Sequence, residues 1–218
     1  MTMKSFLNMI DKNPDTKQTA RIFLIRHGQP LQHTGKIFLG QTDIPLSETG
    51  KIEAAAAGDK LLEYGARPRR IYTSDLARAK ETADIIAEKF GGLPVVPDIL
   101  FREMAMGTWD GELIEDIKAK FPDEFKKRGS DLRNYRIQGG ENFYDLYGRV
   151  TREFYRILST DFFKAADSTD SLWNTDSGDL VIVAHHGVIT VLLEELSKTG
   201  QGDCYIIATG SVTVCDMP

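Results

Sequence analysis

The 218-residue sequence predicts an α/β fold: a mostly parallel sheet with helices on both faces, in a three-layer α/β/α sandwich. Three observations predict it. Short, wholly apolar runs such as Ile22-Phe23-Leu24-Ile25 and Leu180-Val181-Ile182-Val183-Ala184 have the length and composition of strands buried on both faces. Stretches with apolar residues three and four apart, the helical period, lie between such runs. The two kinds alternate along a chain long enough for one domain, 21–218, preceded by a tail or short helix over 1–20.

Arg21–Ile25 is the first strand. Gln29–Pro45 has turn residues and no clear period, and a loop of that length inside a compact domain is usually functional. Ser47-Glu48-Thr49-Gly50 opens a helix that runs to Tyr64, favoured by Ala54–Ala57 and ended by Gly65 and Pro68. Arg70–Ser74 is the second strand. Ser74 or Asp75 then caps a helix to Phe90, with Leu76, Ala79, Ala83, Ile86 and Ala87 as its inner stripe. Val95-Val96 reads as a short strand, Phe101–Gly111 as irregular, and Glu112–Lys127 as one amphipathic helix. Another helix follows Gly139-Gly140-Glu141, with Phe143, Leu146, Val150, Phe154 and Ile157 on one face. Asp167–Gly178 is a polar surface loop, Leu180–Ala184 the clearest buried strand, and Gly187–Leu196 a helix. Tyr205–Ala208 and Val212–Val214 close the chain as a hairpin.

A net charge of −5 argues against a generic nucleic-acid or anionic-membrane binder, while leaving room for a local basic pocket. No apolar stretch approaches the roughly 20 residues of a membrane span. Asp11, Lys12, Asp15 and Lys17 break any signal-peptide core, so a cytoplasmic protein is expected. Cys204 and Cys215 flank a Thr209-Gly210 turn and could face each other across a hairpin, so they read either as a cross-strand disulfide or, the reading favoured for a cytosolic sheet, as two reduced thiols. Homodimerisation is left open.

In parallel α/β folds, ligands sit beyond the carboxyl ends of the strands. Three such ends carry unusual residues: Arg26-His27-Gly28, Ser74 with Arg78 one turn into the next helix, and His185-His186-Gly187. The four histidines, His27, His33, His185 and His186, all lie in or beside two of these ends. Metal binding is the first rival reading, because histidine is the commonest metal ligand. It lacks carboxylate or thiolate partners at ligand spacing, and adjacent His185 and His186 would point to opposite sides of an extended chain. Phosphate binding fits the residue types better. The guanidinium of Arg26 and of Arg78 is planar, permanently charged and able to fork onto two phosphate oxygens. His185 and the start of the helix at Gly187 would add donors, and His27 a nucleophile toward phosphorus. Arg78 taken alone reads first as an exposed helix residue, as any arginine near Lys80 would.

These residues resemble the histidine phosphatase superfamily, the phosphoglycerate mutase-like clan. The resemblance is carried by Arg26-His27-Gly28 after an apolar strand, and by Ser74-Asp75-Leu76-Ala77-Arg78-Ala79 with Thr82. It continues in Glu103 with Gly107-Thr108-Trp109-Asp110-Gly111, in Gly139-Gly140-Glu141, and in Val183-Ala184-His185-His186-Gly187-Val188. The blocks run in order from Arg21 to the C-terminus. The resemblance implies a phosphoglycerate mutase-like fold and a reaction through phosphohistidine at His27. It implies that Arg26, Arg78 and His185 hold the transferring phosphoryl, that Glu103 gives and takes the proton, and that no metal or other cofactor is required.

After Arg-His-Gly many members carry an acidic residue, a hydroxyl and, three positions on, an asparagine; here the places hold Gln29, Pro30 and His33. His33, Leu39, Gly40, His186 and Gly187 are the candidate substrate-binding residues. Gly40 would let backbone N–H groups reach the phosphate, Asp43 and Pro45 read as turn formers, and His186 would narrow the pocket or touch the leaving group. Family mutases cap the site with extra chain after the glutamate block and near the C-terminus. Here Glu103–Trp109 passes straight into a helix, so a phosphatase of a small phosphomonoester is expected ahead of a mutase or a catalytically silent phosphate-binding module. Within phosphatases, Gly40-Gln41-Thr42-Asp43-Ile44-Pro45-Leu46 and His185-His186-Gly187-Val188 look similar to α-ribazole phosphatases.

Overall fold

The computed structural model describes residues 20–31, 35–162, 178–197 and 207–216. Its centre is a five-stranded sheet of β1 (Arg21–Arg26), β2 (Pro68–Ser74), β3 (Val95–Asp98), β4 (Asp179–Ala184) and β5 (Val212–Asp216). The spatial order is β3-β2-β4-β1-β5, with β5 antiparallel to β1 and the remaining pairs parallel. The helices are α1 (Glu48–Glu63), α2 (Ala77–Lys89), α3 (Ile114–Lys120), α4 (Pro122–Ser130), α5 (Phe143–Ile157) and α6 (His186–Ser197). This is the α/β architecture that the alternating pattern predicts.

The apolar strands carry two cores at once. Successive side chains of a strand point to opposite faces. Ile22, Leu24, Leu180 and Ile182 therefore pack against Leu146, Val150, Phe154 and Ile157 of α5 and Val188 and Leu192 of α6. Phe23, Ile25, Val181 and Val183 face the other way, onto Ala57 and Leu61 of α1 and Ala79, Ala83 and Ile86 of α2. Burying a side chain of this size stabilises by about 1.5–3 kcal/mol. A charge at any of these positions would meet apolar helices on whichever side it pointed.

Strand order brings the three unusual ends together. β4 lies between β1 and β2, with Arg26 opposite Ala184 and Thr73 opposite Val183. The His27 N–H donates to the Ala184 carbonyl at 3.0 Å. Residues separated by more than 150 positions in sequence thus share one edge of the sheet.

Several expectations need correction. The helix foreseen over Glu112–Lys127 is two helices, because Pro122 has no N–H to continue α3 and instead occupies the first turn of α4. The start of α2 is not capped by Ser74 or Asp75. Leu76 is the N-cap residue, and the free Ala77 N–H donates to the Asp43 carboxylate, 2.7 Å away on the long loop. Asp43 is thus a cap supplied from a distance as well as a loop residue. The closing strand pairs with the open edge of β1, while Ile207 and Ala208 are not in a strand. Tyr205, Cys204, residues 1–19 and the loop over 167–177 lie outside the described residues. Cys215 is buried on β5. None of the helices among the described residues is long and apolar enough to cross a membrane.

Candidate active site

His27 stands at the carboxyl end of β1, 3% exposed. Its Nδ1 lies 2.7 Å from the Gly28 carbonyl oxygen. A carbonyl only accepts, so Nδ1 carries the proton and the lone pair is on Nε2. Burial first, then the nearby Arg78, pushes the His27 pKa down to about 3. The imidazole is therefore neutral and nucleophilic at ordinary pH. Gly28 is held in turn: its N–H donates to Thr82 Oγ1 at 3.0 Å, and that hydroxyl donates to the Arg78 carbonyl.

Arg78 is wholly buried in the first turn of α2. Its Nη1 and Nη2 donate to the carbonyls of Thr42 and Gly40, each at 2.8 Å, and its Nε has no partner. Arg26 donates Nη1 to the Ile207 carbonyl at 2.8 Å, and its Nε is likewise buried and unpartnered. His185, at the end of β4, is fully buried with neither ring nitrogen bonded, and its ring centre lies 5.0 Å from that of His27. Burial, then His27, Arg78, Arg149 and Arg26, drives its pKa well below the usual value. His185 is therefore neutral rather than cationic. One buried and one half-buried guanidinium group, with four unpaired buried nitrogens, are costly in an apolar interior unless something negative occupies the space they share.

Glu103 supplies the opposite charge. It sits in an irregular segment after a short helical turn, Ile99–Phe101; burial lowers the pKa of both Arg26 and Arg78, that of Arg78 to about 10, and the nearby charge of Glu103 works against that shift. One carboxylate oxygen accepts the Met104 N–H at 2.9 Å and the other the Gly187 N–H at 3.2 Å. The structure thus brings His27, Arg26, Arg78, Glu103 and His185 into one electrostatically coupled group.

The outer residues are placed less simply. His33 lies outside the described residues. Gly40 stands beside Arg78 on the long loop. Its φ of +43° and a space that Asp110 Oδ1 would fill at 1.7 Å from any Cβ hold the loop so that its carbonyl meets Arg78. The Gly187 N–H is taken by Glu103, and His186 is exposed on the first turn of α6. Leu39 lines an open cleft of about 520 Å³ with Gln29, Pro30, Lys36, Ile44 and Ile114.

Some contributors had no legible signal. Glu53 on α1 accepts the Gln29 N–H at 2.6 Å and the Thr209 hydroxyl at 3.2 Å, tying the loop after His27 to the closing turn. Gln41 donates Nε2 to the Glu103 carbonyl at 3.0 Å. Both are ordinary polar residues until the chain folds over them.

A buried neutral imidazole beside two arginines, with a carboxylate opposite, defines a site for a phosphoryl group. In agreement, residues 22–217 match the description of the histidine phosphatase superfamily (branch 1), and the chain belongs to that family. It is 30% identical over 189 residues to a 2,3-bisphosphoglycerate-dependent phosphoglycerate mutase of Allorhizobium ampelinum, covering 83% of this chain and 82% of that protein. The crystal structure of a mycobacterial glucosyl-3-phosphoglycerate phosphatase superposes with a TM-score of 0.67 at 31% identity, covering 83% of this chain and 81% of the other. An α-ribazole phosphatase from Shigella flexneri superposes with a TM-score of 0.71 over 91% of both chains. Its 22% identity makes that a likeness of fold.

Proposed function

We propose that the protein is a phosphomonoesterase that works through a phosphohistidine on a small phosphorylated metabolite, without a metal ion. The observation that carries this reading is the His27 tautomer, fixed by the Gly28 carbonyl, beside the unpartnered nitrogens of Arg26, Arg78 and His185. The phosphoryl oxygens take those nitrogens as donors. His27 Nε2 attacks phosphorus, the bond to the leaving oxygen breaks, and a protonated Glu103 gives its proton to that oxygen. Water then attacks the phosphohistidine and Glu103 takes a proton from it. Inorganic phosphate leaves, with His27 neutral again. Positioning and charge neutralisation by protein cations supply most of the acceleration.

The leaving group lies along the cleft beside Leu39, Ile44 and Ile114, which suits an apolar body, while Lys36 at its rim suits a further anionic group. α-Ribazole phosphate, favoured by the short loop motifs, and glucosyl-3-phosphoglycerate, named for the 31% identical phosphatase, head the substrate panel. The identity to bisphosphoglycerate-dependent mutases supports a second reading, in which a phosphoglycerate and not water accepts the phosphoryl group.

The test is turnover of p-nitrophenyl phosphate in EDTA, with loss of that turnover in His27→Ala. Exchange between phosphoglycerates with little hydrolysis would establish the mutase instead. Phosphate binding without turnover in either assay would leave a silent binding module.

A further inference from the structure

One buried ion pair makes contacts that phosphoryl binding does not use. Arg149, midway along α5, forks onto Glu141, Nε to Oε1 at 2.7 Å and Nη2 to Oε2 at 2.8 Å. The same guanidinium donates Nη1 to the Leu100 carbonyl at 2.7 Å and Nη2 to the Glu103 carbonyl at 3.0 Å. Glu141 Oε2 accepts the Ala105 N–H at 3.0 Å, and the Glu141 N–H donates to the Ala105 carbonyl at 2.9 Å. The side chains are only 13% and 21% exposed.

The pattern is selective. Beyond their mutual bonds, the two side chains' hydrogen bonds all end on residues 100–105, the stretch with Glu103 inside it. Residues 103–106 belong to no helix or strand, so no regular ladder fixes their path. We infer that Arg149 and Glu141 are positioning residues that clamp this segment so that the Glu103 carboxyl meets the leaving oxygen. The inference rests on the acid role proposed for Glu103. Arginine suits the task because its planar fork serves a carboxylate and two carbonyls at once, where a lysine ammonium is one point charge on a flexible stem. A carboxyl displaced by even 1 Å is poorly placed to pass a proton. The pair's hydrogen bonds among the described residues do not reach Arg26, Arg78 or His185, so a variant that keeps the charge of Arg149 leaves phosphoryl binding nearly unchanged.

Leaving-group dependence separates positioning from simple stabilisation. p-Nitrophenolate departs well without protonation, whereas an alkoxide needs the proton from Glu103. The rate of phosphohistidine formation is measured by rapid quench for p-nitrophenyl phosphate and for an alkyl phosphate such as glycerol phosphate. The variants are Arg149→Lys, Glu141→Gln and, as reference, Glu103→Gln, with the inhibition constant of inorganic phosphate recorded for each. The clamp predicts that Arg149→Lys and Glu141→Gln slow the alkyl ester at least about tenfold more than the aryl ester, at nearly unchanged phosphate affinity. Equal losses on both esters, alongside a leaving-group effect in Glu103→Gln, would make the pair merely structural and overturn the inference. Absence of any leaving-group effect in Glu103→Gln would overturn the acid assignment itself, and the clamp with it. Glu141→Gln keeps the size of the side chain but turns one acceptor oxygen of the fork into an NH2 that cannot accept, so it loosens the clamp with little change of shape and tests the idea even if Arg149→Lys fails to fold.

Discussion

Adding a single methyl group at Gly187 should separate catalysis from stability. A Cβ built there stands 2.4 Å from Glu103 Oε1 and 3.0 Å from Leu146 Cδ2. Ordinary contact begins near 3.4 Å, so the carboxylate must retreat by about 1 Å. The atom it meets is the end of a flexible side chain, so the fold can yield. Net stability should change by no more than about 1 kcal/mol, read from the urea midpoint. The reaction has less freedom, since a misplacement near 1 Å can cost about 100-fold in rate. Gly187→Ala should therefore lower kcat on an alkyl phosphate by that order and leave the inhibition constant for inorganic phosphate within about threefold. A kcat within threefold of the parent would refute the reasoning. So would a loss of phosphate affinity as large as the loss of rate, because the methyl group would then be disturbing the anion site and not the proton donor.

Three further predictions concern the charges and the long loop. His27 and His185 are held neutral in the folded protein, so between about pH 6.5 and the lowered pKa, near 3 for His27, the unfolded chain binds more protons. Their contribution to stability must fall as pH drops through that window; His185→Asn should show a shallower loss of urea midpoint between pH 7 and pH 5, and an unchanged slope would contradict the assignment. A bound phosphate anion reverses the local field and should make the site take up protons, measurable by calorimetry in buffers of differing ionisation enthalpy. Asp43→Ala removes the acceptor for the Ala77 N–H and should cost about 1 kcal/mol, the usual worth of an N-cap. It should also weaken phosphate binding, since Arg78 sits in that first turn and donates to the neighbouring Thr42 carbonyl. Full retention of both would show that the cap is immaterial.

Strand and helix content was legible because burial leaves a periodic trace. The apolar runs of β1 and β4, Ile22–Ile25 and Leu180–Ala184, have the length of strands covered on both sides, and α2 and α5 show their inner stripes plainly. The break at Pro122 was legible too, since a proline inside a helical pattern ends the helix, and the single-helix expectation passed over it. The cap on α2 was not. Its acceptor is Asp43, 34 residues earlier, and no local pattern links the two.

The sequence by itself determined the α/β class, the buried strands and the residue types placed at their ends, because each follows from local composition and period. It also carried the motif blocks of the superfamily, since those are short and ordered along the chain. The tertiary structure alone decided that His27, Arg78, Glu103 and His185 share one space. That depends on β4 inserting between β1 and β2, which strand pairing over long sequence separations sets. It also decided the protonation of His27 and His185, because the imidazole pKa responds to burial and neighbouring charge, and neither exists until the chain has closed around them.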